Sequence, residues 1–324
     1  MTRQGGRAVK KSPEHSRLCF RPQERFATTS GMPPARRTRP ALVAALALVF
    51  CFSSIARAQE SSSSKKDLTW DWPKFRTSEY VVTGVVGAAA LGVFAFGKPR
   101  SSPLWTGGIL FDDAVRDAVR VRSPRARDRL RALSDITGIA SLVLVLGVDS
   151  LTVPLVRGSP EVAFQLLLLD AEAFAFNSLF TASTFYLTGR ARPSWDDCQK
   201  NPSFDPLCSP HDTASFWSGH TSQAFAAAGL SCAHHAYAKL YGGGAPDAVA
   251  CAGAIALSAT TGTLRLLGDR HHATDVATGA LVGFGFGYGM PTLLHYAHPK
   301  NERRLGLAFT PTDGGAAVSA AGSF

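Results

Sequence analysis

Three short segments of this 324-residue chain carry side chains suited to phosphate chemistry. They are Gly189-Arg190-Ala191-Arg192-Pro193, then Ser215-Phe216-Trp217-Ser218-Gly219-His220-Thr221, then the spacing Arg265-x5-His271-x3-Asp275. Guanidinium groups present planar forks of donors that match phosphate oxygens, and they stay charged at any relevant pH. Arg192 and Arg265 are therefore predicted to bind one dianionic phosphate ester between them.

Ser218 and Gly219 directly precede an apolar segment that is predicted to be a helix. Backbone N–H groups at a helix N-terminus bind anions, and the Ser218 hydroxyl adds a further donor. Gly219 also lets the backbone approach a ligand closely, because it has no side chain. Both residues are predicted phosphate ligands.

The spacing of His271 and Asp275, four residues apart, predicts that they share one face at the entry of a helix beginning near Thr274. The carboxylate is predicted to hold one ring nitrogen protonated and to leave the other as the nucleophile toward phosphorus. The adjacent His272 is the rival, but only His271 has the Arg-x5-His-x3-Asp spacing. His220 is predicted to protonate the leaving alkoxide and then to activate water.

This chemistry requires no metal or other cofactor, because the arginines supply positive charge for the transition state. The sequence has no convincing cluster of carboxylates for magnesium or zinc. The formal charge of +10 would suit nucleic acid, but no nucleic-acid-binding signature accompanies it, and much of the excess lies in 1–40 and 98–131. Basic clusters beside apolar stretches more often face membrane phosphates. We therefore expect a membrane and a phosphorylated lipid as partners, and no nucleic acid.

Six apolar segments must position these residues: 80–97, 134–156, 160–187, 219–240, 245–266 and 274–296. Each is too long for an ordinary strand and rich in Ala, Leu, Gly and Phe, so all six are predicted to be helices. The connection 98–133 predicts two short amphipathic helices broken at Ser123-Pro124, lying over the bundle or on headgroups. The Gly-rich run 283–289 lies inside the last apolar segment, where it favours close helix packing over phosphate binding.

The N-terminal region is typical of a secretory signal over residues 32–58, where arginines precede a short apolar run that ends in Ala56-Arg57-Ala58. An uncleaved membrane anchor is the alternative. Residues 1–31 are predicted to be a disordered leader or the result of a start codon assigned too early. The remaining predicted divisions are a linker at 59–78, with Trp70 and Trp72 at a membrane interface, a helical domain at 79–298 and a flexible tail at 299–324.

Cys198 and Cys208 bracket a polar, Pro-rich loop, and this closeness predicts a disulfide in an oxidising compartment; two unpaired loop cysteines are the alternative. Cys232 and Cys251 lie in apolar helices, where buried free thiols are expected. The loop pair favours a periplasmic site, although strict alternation of helices after a cleaved signal would place the site in the cytoplasm. A soluble periplasmic bundle would remove that conflict, and ionisable residues such as Asp170 inside the apolar segments keep it open.

The order and spacing of the three segments resemble the signature of the type 2 phosphatidic acid phosphatases, whose superfamily also includes bacterial class A acid phosphatases and vanadium haloperoxidases. SFWSGHTSQAF and GDRHHATDVATG are close to the second and third motifs, and the resemblance covers roughly 134–296. It implies an all-α, six-helix membrane bundle of the phosphatase/haloperoxidase type. It also implies a metal-independent hydrolase of lipid phosphomonoesters or diphosphates that forms a phosphohistidine at the periplasmic face of the bacterial inner membrane.

The chain departs from the family pattern at three positions. The family's first motif opens with a Lys seven residues before Arg192, where this chain has Phe185; the usual Pro and Ser of the other motifs are Trp217 and Leu264. The missing Lys removes one phosphate donor, and Arg190 is the predicted substitute. The alternatives are a soluble periplasmic acid phosphatase, a vanadate-dependent haloperoxidase, and a degenerate member that binds phospholipid without hydrolysing it.

Overall fold

The computed structural model describes residues 67–98, 100–209, 212–297, 305–312 and 315–322, and helices form most of these described residues. The predicted leader, the signal segment and the first part of the linker lie outside these ranges. The helices are α1 (Thr77–Phe96), α2 (Asp112–Val119), α3 (Pro124–Leu142), α4 (Pro160–Thr188), α5 (Trp195–Lys200), α6 (Gly219–Tyr237), α7 (Ala245–Leu267) and α8 (Ala273–Phe284). Helix α3 continues through a π-helical segment, Val143–Thr152, into Val153–Val156, and α8 is followed by π-helical segments at Gly285–Gly289 and Thr292–Tyr296.

All six predicted apolar segments are helical over nearly their whole length. Among the described residues, four helices are long and apolar enough to cross a membrane: Thr77–Phe96, Pro124–Val156, Pro160–Thr188 and Ala245–Leu267. These four helices indicate a membrane protein. That α6 and α8 also cross, completing a six-helix membrane bundle, stays a prediction.

The connection between the first two long helices differs from the prediction of two short amphipathic helices. Only α2 is a separate short helix, while the second predicted one is the N-terminal part of the continuous stretch Pro124–Val156. Proline is well suited to the first turn of a helix, and no further proline follows before Pro154, so nothing stops α3 at the expected place. The predicted break at Ser123-Pro124 is found.

Much of the basic charge in this connection is paired within the protein and does not face headgroups. Arg127 Nε lies 2.9 Å from an oxygen of Asp205, and Arg131 Nη1 lies 2.7 Å from the other oxygen. Arg116 Nε lies 2.7 Å from Asp269. Both members of the Arg127–Asp205 pair are almost fully buried. These ion pairs attach α2 and α3 to the loops that follow α5 and α7.

Helices α6 and α8 approach closely along a row of glycines. A Cβ atom at Gly279 would lie 2.7 Å from the carbonyl oxygen of Ser218, and one at Gly283 or Gly287 would overlap the α6 backbone. Close helix packing by the Gly-rich run is therefore confirmed. The close approach joins the second motif to the third, because Ser218 N–H donates to the Asp275 carbonyl at 3.1 Å.

Two disulfides are present in the described part of the chain. Cys198 and Cys208 are paired, as the loop composition predicts. Cys232 and Cys251 are also paired, so the expectation of free thiols there is wrong. Sequence periodicity gives no register between two helices, whereas the packing of α6 on α7 brings these two Cα atoms to 4.4 Å.

The described end of the predicted linker packs against the bundle. Trp70 is buried with Leu166, Leu240 and Tyr296, which replaces the membrane-interface position expected for it. The backbone N–H of Phe75 donates to a side-chain oxygen of α4. At the other end of the chain, Leu305–Thr312 and Gly315–Gly322 pair as an antiparallel hairpin.

Candidate active site

The first motif begins where α4 ends, at a residue with left-handed backbone geometry. Gly189 has φ of 53°, which a residue with a side chain rarely adopts, and a Cβ atom there would lie 2.8 Å from the Arg100 side chain. The chain therefore turns out of α4 at this point. Arg190 and Arg192 follow the turn, and their side chains have very different partners.

Arg192 lies against the predicted nucleophile. Its Nη1 atom is 2.8 Å from Nε2 of His271 and 2.7 Å from the carbonyl oxygen of Arg270. Its Nε donates to Asp212 Oδ1 at 2.9 Å. An arginine that already bonds the attacking ring is well placed to bind the phosphoryl group that the ring would attack.

Arg270 is a further cation of the same pocket that the sequence analysis did not select. Its Nη1 donates to Asp212 Oδ2 at 2.9 Å, so one carboxylate bridges Arg192 and Arg270. Burial and the neighbouring Arg192 lower the pKa of Arg270 to about 10, which leaves it charged at neutral pH. The available signal was its position directly before His271 in the third motif. Asp212 carries no such signal, because a carboxylate in a polar loop is most often part of a solvated turn.

The His271 ring is oriented by a backbone carbonyl. Nδ1 lies 2.8 Å from the carbonyl oxygen of Ser215, whereas the nearest oxygen of Asp275 is 3.7 Å away, which is too long for a hydrogen bond. The expectation that Asp275 holds this nitrogen directly is therefore wrong. Burial and the positive charge of Arg192 place the pKa of His271 well below its ordinary value. The ring is neutral at neutral pH, with its lone pair on Nε2.

Asp275 organises the residues behind the His271 ring. It accepts hydrogen bonds from Ser215 Oγ at 2.6 Å, from the backbone N–H of His272 at 3.0 Å, and from Arg190 Nη1 at 2.5 Å. Burial raises the pKa of Asp275, but its interactions with His271, Arg190 and Ser215 outweigh that effect and hold it at about 2. The carboxylate thus positions the residue whose carbonyl orients His271. His272, the alternative candidate for the nucleophile, contributes only its backbone N–H to Asp275.

Arg190 does not take the place of the missing lysine. Its side chain is fully buried, with Nη1 bonded to Asp275 and Thr274 and with Nη2 lying 2.7 Å from Asp112. Its guanidinium also lies 4.1 Å from the ring centre of Trp105. The Arg190 guanidinium is thus already paired with two carboxylates and packed on an aromatic ring. The predicted role of Arg190 as a phosphate donor is corrected to a structural ion pair.

The second motif supplies a smaller anion cradle than predicted. The Ser218 N–H is bonded to Asp275, and its hydroxyl is 2.8 Å from the Thr221 hydroxyl as a helix cap. Ser218 is fully buried, and its hydroxyl stabilises the start of α6 as a helix cap. Gly219 lies at the first turn of α6, where the ring of Phe185 would be 2.9 Å from an added Cβ. The cradle is therefore limited to the first N–H groups after Ser218.

His220 and Arg265 meet at a carboxylate that lay outside all three motifs. Asp135, on α3, is 3.2 Å from His220 Nε2 and forms an ion pair with Arg265 Nη2. Arg265 is buried, while Asp135 and His220 are about half exposed. Asp135 was missed because it gave no signal beyond its place at the start of an apolar segment.

Both imidazoles lie in the electrostatic field of the same two arginines. Partial desolvation lowers the pKa of His220 although Asp135 opposes this shift, and full burial lowers the pKa of His271; Arg265 and Arg192 lower both further. The site therefore combines two imidazoles, of which His271 is neutral, with the cations of Arg192, Arg265 and Arg270. Asp212 pairs with Arg192 and Arg270, and Asp135 pairs with Arg265. Such a site can bind a phosphate dianion, attack it from one side and donate a proton from another.

Comparisons with known proteins found a family model and a solved structure that are similar to this chain. The model of the PAP2 superfamily matches residues 167–299, which include all three motifs. A solved structure, described as the first transmembrane PAP2 type phosphatidylglycerolphosphate phosphatase from Bacillus subtilis, is similar at 17% identity with a TM-score of 0.42. That similarity covers 67% of this chain and 96% of the other. No protein of curated function matches the chain.

Proposed function

We propose, from the premise that this chain belongs to the PAP2 superfamily through residues 167–299, that it is a membrane phosphatase acting on a lipid. The substrate would be a phosphomonoester or a diphosphate, hydrolysed through a phosphohistidine on His271. The superfamily assignment supports a phosphatase type of function in general. The substrate class and the intermediate are our proposal.

One observation carries the mechanism. The His271 ring is fixed at Nδ1 by the Ser215 carbonyl, and its Nε2 lies 2.8 Å from a guanidinium nitrogen of Arg192. A neutral ring held in one tautomer beside a phosphate-binding cation is the arrangement that nucleophilic attack on phosphorus requires. No comparable arrangement surrounds His272.

The two half-reactions follow from this geometry. The Nε2 lone pair of His271 attacks phosphorus, the bond from phosphorus to the ester oxygen breaks, and His220 donates its proton to the leaving alkoxide. His220 then removes a proton from water, the resulting hydroxide attacks the phosphohistidine, and the P–N bond breaks to release phosphate. Arg192, Arg265 and Arg270 stabilise the negative charge on the phosphoryl oxygens throughout.

The location is proposed on separate grounds. Four helices suited to crossing a bilayer support a substrate that lies in the membrane. The two disulfides support an oxidising compartment, and we therefore propose a periplasm-facing pocket in the bacterial inner membrane.

The test is phosphate release from phosphatidic acid, phosphatidylglycerol phosphate, undecaprenyl diphosphate and a lipid A phosphate in EDTA. We expect turnover of at least one substrate by the wild type and none by His271→Ala. His272→Asn is the matched control, because asparagine is a good helix-capping residue, and it should keep most of the turnover. Activity that survives His271→Ala but is lost in His272→Asn would refute the assignment of the nucleophile.

Quenching the wild type in alkaline detergent after mixing with a radiolabelled phosphoryl donor should trap an acid-labile, base-stable phosphoprotein. The label should be absent from His271→Ala, and a base-stable label that persists in this variant would argue against a phosphohistidine on His271.

A further inference from the structure

An exposed apolar loop precedes α2. The apolar loop, residues 104–111, has the sequence LWTGGILF, and its side chains Leu104, Ile109, Leu110 and Phe111 are all exposed. Grouped exposed apolar side chains in a folded protein mark a surface that contacts something else. Backbone hydrogen bonds hold the loop against the rest of the protein, so its side chains are exposed as part of the folded structure.

Leu110 is the most informative residue of the loop. Its side chain is 87% exposed, and its backbone has φ of 52° in the left-handed region. That conformation is unfavourable for a leucine and is normally filled by Gly, Asn or Asp. A leucine at this position is unfavourable in water for two reasons: its backbone conformation is strained, and its apolar side chain is exposed to solvent. Contact with an apolar environment outside the chain would remove the cost of exposing the side chain to water.

The loop lies at the end of a candidate membrane span. The backbone N–H of Leu104 donates to Gly189 at the end of α4, and Ala191 N–H donates to the Trp105 carbonyl at 2.9 Å. Exposed Leu187 in the last turn of α4 continues the apolar surface toward the span. Lys98 and Arg100, which follow α1 in the chain, are exposed, and Arg100 Nε donates to the Tyr186 carbonyl of α4 at 3.2 Å. Apolar side chains next to basic ones at the end of a span match the boundary between acyl chains and anionic headgroups.

The loop is also connected to the candidate active site. Asp112, directly after it, accepts hydrogen bonds from Arg190 Nη2 at 2.7 Å and from Thr274 N–H at 2.7 Å. Arg190 in turn bonds Asp275, the carboxylate that positions Ser215 behind the His271 ring. A chain of buried ion pairs thus links the loop to the residues that orient the nucleophile.

We propose that the apolar loop 104–111 docks into the interfacial region of an anionic bilayer and holds the pocket at the level of lipid headgroups. Leu110 and Phe111 enter the acyl-chain boundary, while Lys98 and Arg100 contact headgroup phosphates. The bilayer docking stands by itself, and only its role in delivering a lipid phosphate rests on the proposed function.

Bilayer docking is tested without any assay of catalysis. The full chain, with Cys19 and Cys51 replaced by serine and the four disulfide-bonded cysteines kept, receives a single thiol for an environment-sensitive fluorophore. The probe is placed at Leu110→Cys, and the exposed polar position Asp117→Cys on α2 is the control. In vesicles of phosphatidylglycerol and phosphatidylcholine with brominated acyl chains, we expect at least about threefold stronger quenching at 110 than at 117.

Equal quenching at the two positions would overturn the proposal. So would shielding of the 110 probe that depends on protein concentration in detergent, because the loop would then contact a second copy of the chain.

The role in delivery is tested with Leu110→Asn, since asparagine tolerates the left-handed backbone and removes only the apolar side chain. Turnover of a vesicle-borne lipid phosphate should fall at least about fivefold, as expected from losing the burial of one leucine. Turnover of a water-soluble, short-chain ester should change less than about twofold. Equal losses on both substrates would refute the delivery role, and a protein inactive on every ester but still quenched at 110 would refute only the phosphatase proposal.

Discussion

Nη1 of Arg192 lies 2.8 Å from Nε2 of His271, and this contact fixes the tautomer of the ring. An arginine can only donate, so Nε2 is the acceptor and Nδ1 carries the proton that is donated to the Ser215 carbonyl. The lone pair needed for attack is therefore on the nitrogen that faces the phosphate-binding cation. A bound phosphoryl group must take over this arginine before Nε2 can reach phosphorus.

The pH dependence of turnover follows from the two rings. Burial lowers the pKa of both His220 and His271 below the ordinary value of 6.5, and that of His271 lies well below it. Activity is lost on the acid side as His271 gains a proton, and on the alkaline side as His220 loses the proton that it must donate. We expect a bell-shaped profile of kcat/KM for a soluble ester, with its maximum on the acidic side of 6.5. A maximum above about pH 7.5 would contradict this assignment.

Much of the architecture was predictable from sequence, because long apolar segments specify helices whatever they pack against. The three motifs were also predictable, because each is defined by the types and spacing of residues that are close in sequence. The partners of the motif residues were not: Asp135 and Asp212 reach the site through tertiary packing, and no local pattern marks them. Arg190 shows the converse, since its position in the motif suggested a ligand while its buried carboxylate partners give it a structural role.

Restoring the lysine that is missing from the first motif should improve phosphate binding. The Phe185 ring lies beside Gly219 at the start of α6, so a lysine there would bring an ammonium group to the anion cradle. Phe185→Lys should lower KM for a phosphate ester by about three- to tenfold at low salt, and less at high salt. Phe185→Met is the control of similar length without charge. The same KM in both variants would show that position 185 does not face the phosphate.

Arg190→Ala distinguishes a structural ion pair from a phosphate donor. The substitution leaves Asp112 and Asp275 buried without their cation, which should cost about 3–5 kcal/mol of unfolding free energy. The measurement is denaturant unfolding of the purified protein in detergent. Adding Asp112→Asn to Arg190→Ala should restore part of the loss, since one unpaired charge is removed. If Arg190→Ala kept wild-type stability but lost turnover, the arginine would be a phosphate ligand after all.

The glycine row between α6 and α8 holds the second and third motifs in register. A side chain at Gly283 would overlap the α6 backbone, whereas one at Gly285, two residues along the same helical stretch, would meet nothing within 4 Å. Gly283→Ala must push the helices apart and strain the 3.1 Å bond from Ser218 N–H to the Asp275 carbonyl. We expect a loss of about 1–3 kcal/mol in stability and a larger proportional loss of turnover, since His220 and His271 would separate. Gly285→Ala should be neutral or slightly stabilising by comparison. Equal effects of the two substitutions on turnover would mean that helix propensity, and not close packing, accounts for the glycines.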